Sequence, residues 1–319
     1  LPKTLREAYL NLSWTRVKAT PLVTSDWEVA YDQFVLPVSK NSWSGKPAKA
    51  GNTTFVVDEA TGALKSLCLD GEELLASPIT LSLFRPATDN DNRDQNGAKL
   101  WRQAGLDHLT QKVVSLKEGK NKTTVKADIL NAEGKKIGNA EFIYALNRDG
   151  SMKVQTTFEP DTSLVKSMAR LGITFEMKDT YENVTYLGRG EHETYTDRNQ
   201  SGKIGVYKTT PERMFHYYVV PQSTGNRTDV RWLQLTDEHG KGCWIEANSF
   251  FQFSTFPFSD VILEKARHIN ELKRDGKITI HLDAEQAGVG TATCGPGVLP
   301  SYLVPLTKQT FDFTIYPVK

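Results

Sequence analysis

Thr53-Thr-Phe-Val-Val57, Asp58-Glu-Ala-Thr-Gly62 and Ala63-Leu-Lys-Ser-Leu67 follow one another without a break. The first and third pieces carry β-favouring residues, and the second is a turn closed by glycine, so the stretch reads as strand, turn, strand. Asp70-Gly71 is the next turn signal. The same unit recurs at Val113–Leu116, Thr123–Leu130, Glu141–Leu146 and Met152–Phe158, with Gly134 and Asp149-Gly150 between them. Gly172–Met177, Trp232–Leu235, Cys243–Ala247, Lys277–Leu282 and Thr310–Tyr316 continue the series. Helical periodicity is scarce, and Ala98–Ala104 and Val261–Arg267 are its best short examples. Many short strands with turn signals between them predict an all-β fold, a large antiparallel sandwich with too many strands for an immunoglobulin unit.

Upstream of this series, Glu7 to Trp14 alternates, and Glu28 to Leu36 is rich in Val, Tyr and Phe. Two or three strands have too little core to stand alone. Residues 1–39 are therefore predicted to close a sandwich or to lean on the next domain, 40–51, rich in Ser, Gly, Pro, Lys and Asn, to be a linker, and 52–319 to be the large β domain.

A chain of 319 residues suits one large β domain with a smaller piece attached. Its net charge of +1, with both signs interspersed, speaks against nucleic acid or an anionic membrane as the main partner. No apolar run approaches the ~20 residues that span a bilayer, and the start lacks a signal-peptide pattern. The chain begins at Leu1, so an upstream portion, with any export signal, is expected to be absent from it. The compartment is left open between a bacterial cytoplasm and periplasm. Cys68, Cys243 and Cys294 form neither a disulfide framework nor a zinc pattern. The Asn-x-Ser/Thr triplets at Asn11, Asn52, Asn121, Asn183 and Asn226 read as chance in a chain rich in Asn and Thr.

Reactive side chains concentrate in Tyr186-Leu-Gly-Arg-Gly-Glu-His-Glu-Thr-Tyr-Thr-Asp-Arg198. If it is extended, Glu191, Glu193 and Tyr195 share one face and His192 takes the other. Same-face Cα atoms then lie ~6.6 Å apart, a spacing that could suit a pair of glycosidase carboxylates. A solvated loop or an ion-pair network is the commoner role for such charges. Phe84-Arg-Pro-Ala-Thr-Asp-Asn-Asp-Asn92 offers oxygens for a hard cation or sugar hydroxyls, and reads more simply as an Asx-rich turn; no calcium-loop spacing is present. Met214-Phe-His-Tyr-Tyr-Val-Val-Pro-Gln222 reads as an aromatic strand beside Asn226, Asp229 and Arg231. That grouping could stack and hydrogen-bond a sugar or pack a core around a buried pair, and Asp197 and Arg231 are expected to be buried and paired. Gly288-Val-Gly-Thr-Ala-Thr-Cys-Gly-Pro-Gly-Val298 lacks the Lys-Ser/Thr of a phosphate cradle. With no large side chain to anchor it, this loop is expected to be exposed, and mobile unless a partner domain orders it.

These segments together resemble the C-terminal portion of the glycoside hydrolase family 2 β-galactosidases. Gly188, Gly190, Glu193, Tyr195, Asp197 and Arg198 match its Gly-x-Gly-Pro-x-Glu-x-Tyr-x-Asp-Arg segment, with Glu191 in place of the proline. Arg85, Asp89, Asn90 and Asp91 match its Arg-x-x-x-Asp-Asn-Asp, followed by Trp101 and Ala104-Gly105. Pro221-Gln222, Gly225-Asn226 and Val230-Arg231 track a third segment, where Ser223 replaces a glutamate. Ala30-Tyr-Asp-Gln-Phe34 resembles the close of the family's immunoglobulin-like fourth domain. His268, Asp283, Gln286 and Tyr302 fit the remainder.

The resemblance implies a large super-sandwich of the galactose mutarotase type, preceded by part of an immunoglobulin-like sandwich. In the family both catalytic glutamates sit in a (β/α)₈ barrel, for which this chain has no room among its strands. No catalytic residue is therefore expected here, with Glu193 and His192 the only candidates. The family loop presents a tryptophan to the substrate from the stretch matching Gly290, Thr291, Ala292, Thr293 and Cys294, and Cys294 stands at the tryptophan's place. No metal or other cofactor is expected in this chain, since the Mg and Na ions of the family lie mostly outside this region. The implied partners are the catalytic barrel and other domains of the parent enzyme, with carbohydrate and a second copy of the chain also open. The competing readings are a mutarotase-like sugar epimerase acting through His192 and Glu193, and a stand-alone sugar-binding module.

Overall fold

Period-two alternation carries through to the fold strand after strand. In Lys122–Leu130 and Asn183–Gly190 every second side chain is buried, as a sheet with one face on a core requires. The structure is a computed structural model that describes residues 7–37 and 52–318. The chain divides into two units, Leu1–Pro47 and Ala48–Lys319. The first contains an antiparallel hairpin of β1 (Ala8–Thr15) and β2 (Glu28–Leu36), in register from Ala8 opposite Leu36 to Trp14 opposite Ala30. The expected linker at 40–51 lies outside the described residues.

The second unit opens with a three-stranded sheet of β3 (Thr53–Val57), β4 (Leu64–Leu69) and β5 (Glu72–Glu73). Its strands then run β6 (Thr80–Ser82), β7 (Thr110–Gly119), β8 (Lys122–Leu130), β9 (Lys136–Leu146) and β10 (Met152–Pro160). Next come β11 (Arg170–Lys178), β12 (Asn183–Gly190), β13 (Lys203–Thr209) and β14 (Arg227–Thr236). The chain closes with β15 (Gly242–Phe256), β16 (Lys277–Gln286) and β17 (Gln309–Val318). Twelve of these form one sheet in the order β13-β12-β14-β15-β17-β10-β9-β8-β7, with β16, β11 and β6 branching from β15. The branch has a simple cause. β15 is 15 residues long, and its first half, Gly242 to Ala247, pairs with β17 while its second half, Gln252 to Phe256, pairs with β16. One apolar core draws on both wings, with Phe142, Val154 and Phe158 from one and Phe175, Ile280 and Leu282 from the other.

Helix α1 (Ala98–Ala104) falls where the periodicity predicts it and stops at Gly105, whose φ of 70° is the left-handed C-cap that glycine adopts most readily. The other predicted helix is α3 (Asp260–Lys265), started by Ser259, whose side chain accepts the Ile262 N–H. The aromatic strand expected at 214–222 does not form. Instead Pro211–Met214 is one helical turn, α2, capped by Thr210 and begun by Pro211. Phe215 then leaves the backbone path to pack with Phe256, Phe258 and Leu263 in a satellite cluster, so burial of one ring wins over strand pairing.

Candidate functional site

β12 ends at Gly190, and residues 191–198 turn away from the sheet rather than extending it. The expected alternation of Glu191, Glu193 and Tyr195 is thus lost, and Glu191 and His192 are both exposed. His192 Nε2 lies 2.7 Å from Ser201 Oγ, on the surface. Glu193 goes the other way. Its Oε1 accepts from Arg198 at 2.5 Å and Tyr218 at 3.1 Å, and its Oε2 from the Thr224 hydroxyl at 2.6 Å and the Gly225 amide at 2.8 Å. Burial alone would raise its pKa, but the Thr224 hydroxyl, the Gly225 amide and the Arg198 guanidinium together hold it below the ordinary carboxylate range. An ionised carboxylate with four donors on it is a poor general acid. His192 and Glu193 therefore do not form the acid–base pair that an epimerase would need. Tyr195 is buried between two guanidinium groups, those of Arg85 at 5.7 Å and Arg198 at 5.5 Å from its ring centroid.

The Asp/Asn segment after β6 folds as the Asx-rich turn. Thr88 N–H donates to Asp91 Oδ2 and Asp91 N–H to Thr88 Oγ1. Arg85, fully buried, grips Asp91 with two parallel bonds of 3.0 and 2.7 Å. Its remaining N–H groups donate to the carbonyls of Ala287 and Gly288, each at 2.8 Å. Asp89 accepts from Gln222 Nε2, and Gln222 Oε1 accepts the Asp89 N–H in return. Asn226 is buried, donating to the Thr194 carbonyl and to Gln252 Oε1.

Besides Arg85, three side chains converge on the glycine-rich loop. Asp197 accepts the amides of Val289 at 3.1 Å and Gly290 at 2.8 Å. Asn90 donates to the Gly290 carbonyl and accepts the Thr293 amide and hydroxyl. Asp94 accepts the Val298 amide at 2.6 Å. The loop is thus held through its own backbone rather than left unanchored, and residues 293–296 are exposed as expected. Two of its glycines are what make the grip fit: a Cβ at Gly288 would sit 2.4 Å from Asp197 Oδ2, and one at Gly297 would sit 2.6 Å from the Asp94 carboxylate. Cys294 is exposed at the far end, and Thr291 and Ala292 lie between the clamped positions.

Thr88, Asp89, Asn90, Glu193, Arg198, Tyr218 and Thr293 are among the residues lining a cleft of about 230 Å³. The structure thus brings together residues about a hundred positions apart that the sequence singled out separately. One expectation fails: Asp197 and Arg231 are half-buried rather than buried. Asp197 is engaged by the loop amides, and Arg231 donates to the Asp229 carbonyl and lies 3.8 Å over the Phe250 ring. His268 is a surface residue bonded to Glu271. The sequence reading missed Asp94; it marked Tyr218 only as part of the aromatic run 214–222, and gave Thr224 and Arg227 no role of their own. Arg227 donates to the Tyr186 hydroxyl and the Glu191 carbonyl, both at 2.9 Å, and so fixes the start of the turn. No group of three or more His, Cys, Asp or Glu side chains among the described residues could hold a metal ion, and none of the described helices is long and apolar enough to cross a membrane. A second cavity, of about 490 Å³ with Leu83, Phe84, Leu109 and Asp260 in its walls, lies beyond Phe84.

Chemically the cleft is a clamp. Its carboxylates and amides are engaged by protein donors and acceptors, and their combined effect is to fix the backbone of residues 288–298. Fold and site together define an all-β antiparallel domain that presents one loop held through its backbone. A sequence profile described as "Beta galactosidase small chain" matches residues 49–316, and the chain belongs to that family. It is 30% identical over 304 residues to a protein named Beta-galactosidase from Priestia megaterium, a match covering 89% of this chain and 29% of that protein. The corresponding figures for a Beta-galactosidase from Kluyveromyces lactis are 28% over 280 residues, 82% and 26%. The chain thus spans under a third of the length of these relatives. Among solved structures, a GalM/aldose epimerase homologue from C. elegans overlays 85% of this chain and 98% of its own at a TM-score of 0.46 and 11% identity.

Proposed function

We propose that this chain is the non-catalytic C-terminal region of a β-galactosidase, an enzyme hydrolysing terminal β-D-galactosides. Its part is to pack on the catalytic barrel and to border the substrate entrance with the clamped loop. The observation that carries this reading is the asymmetry of the matches, which take in 89% of this chain but 29% of the relative from Priestia megaterium. The state of Glu193 supports it, since a saturated, ionised carboxylate has no free partner with which to split acid and base roles. The chain alone is expected to give no turnover of a chromogenic β-galactoside. Turnover that disappears in Glu193→Gln would contradict the proposal, because it would place catalysis inside this cleft.

Cys294 supplies a second check. A thiol has no aromatic face for a sugar, so this position is expected to add little affinity. In the parent enzyme, Cys294→Ala should change KM by less than about threefold, or ~0.65 kcal/mol. An order-of-magnitude rise would mean that the Cys294 side chain itself contacts substrate.

A further inference from the structure

Beneath the root of the glycine-rich loop, β11, β16 and β15 carry polar side chains into the interior. Arg170, His281 and Asp283 are 0% exposed, and Ser254 is 1% exposed. Ser254 stands opposite His281, Gln252 opposite Asp283, and Gly172 faces Asp283 from the other side. Directly opposed residues of an antiparallel pair project to the same side, so these groups share one face. Arg170 Nη1 and Asp283 Oδ2 are 3.6 Å apart, too far for a hydrogen bond. All three nitrogens of Arg170, Oδ1 of Asp283, Nδ1 of His281, Oγ of Ser254 and Oδ1 of Asn226 have no hydrogen-bond partner among the described residues.

A guanidinium taken out of water and left without acceptors is strongly destabilising, and native interiors pair nearly all such groups. The inventory decides what could pair these. Arg170 brings five N–H donors and Asp283 and Asn226 bring acceptors, so the partner must both accept and donate. Two carboxyl groups already accompany the basic side chains of this cluster, Asp283 Oδ2 at 3.6 Å from Arg170 Nη1 and Asp260 Oδ1 at 3.1 Å from His281 Nε2, which disfavours a further anion. Gly172 lets the strands approach closely here, since a Cβ on it would come within 2.2 Å of the Leu282 carbonyl and 2.5 Å of Asp283 Oδ1. Asp260 lines the 490 Å³ cavity, so solvent lies one side chain away.

We propose that Arg170, Ser254, His281 and Asp283 enclose a binding site for ordered water, which bridges the guanidinium to the carboxylate. The hydrated site supports the loop through a short chain of bonds. Gln286 Nε2 donates to Asp283 Oδ2 at 2.9 Å, Arg85 Nη1 donates to Gln286 Oε1 at 3.4 Å, and Arg85 holds the carbonyls of Ala287 and Gly288. A buried water with two to four polar partners is as much a part of a fold as a side chain.

A crystal structure of the full chain, at a resolution that resolves ordered solvent, tests this. Solvent density within hydrogen-bond distance of an Arg170 nitrogen and of Asp283 Oδ1 is the expected result. Direct Arg170–Asp283 hydrogen bonds with no solvent between them would overturn the proposal. An anomalous peak at this position in a bromide-soaked crystal would overturn it too, since the occupant would then be an anion.

Discussion

Arg85→Ala is expected to lower the unfolding free energy by about 3–5 kcal/mol, because it leaves the Asp91 carboxylate buried without its counter-charge. Arg85 and Asp91 are 0% and 2% exposed in their side chains. The same guanidinium holds two loop carbonyls and lies over the rings of Trp101 and Tyr195, so truncation removes packing as well as charge. For a domain of this size the loss corresponds to a fall in Tm on the order of 10 °C. Arg102→Ala is the control. Its pair with Glu264 is 2.6 Å long, with the side chains 40% and 32% exposed, and solvent screening should keep the effect below about 1 kcal/mol. Equal Tm values for the two variants would mean that the buried pair does not support the fold as described.

The second large effect is expected at Asp197. Asp197→Ala removes the acceptor for the amides of Val289 and Gly290. Hydrogen bonds to a charged group are worth about 1.5–3 kcal/mol each, so loosening the loop should cost a similar amount per bond. The change should be local, with faster amide exchange across 289–298 and little change in the strands of the main sheet. Asp197→Asn keeps an acceptor oxygen and should restore most of the protection. Unchanged exchange in Asp197→Ala would show that Asn90 and Asp94 hold the loop unaided.

Strands could be read from the sequence wherever a local turn signal bounded an alternating run. The β3–β4 hairpin needs only Asp58 to Gly62 to declare it, and α1 needs only its periodicity and Gly105. What failed was extrapolation past a strand end. Alternation through Glu191 to Tyr195 assumed that β12 continues, but the backbone leaves the sheet at Gly190, and Arg227, 36 residues beyond Glu191, holds the new direction. The aromatic run 214–222 failed for a related reason, since Phe215 has a tertiary pocket that no local pattern announces.

The site's membership was legible, and its purpose was not. Asp89, Asn90, Glu193, Asp197 and Arg198 stood out as clustered polar residues, and they do meet. Nothing local indicates that Asp197 and Asn90 spend their oxygens on the backbone of residues 289–293. The loop's glycines looked like freedom; in the fold they are clearance for two carboxylates. Arg170 was hidden most deeply, because a charged residue at the start of a strand reads as solvent-facing, and Asp283 stood out only through the family resemblance.

The most direct test of the proposed role separates the parent enzyme into two chains. The remainder of the parent and this chain would be expressed apart, assayed singly with a chromogenic β-galactoside, and then mixed. The expected result is no turnover from this chain, little from the remainder alone, and hydrolysis restored on mixing. Turnover by this chain alone, or full activity of the remainder without it, would contradict a non-catalytic region that packs on the barrel and borders its entrance.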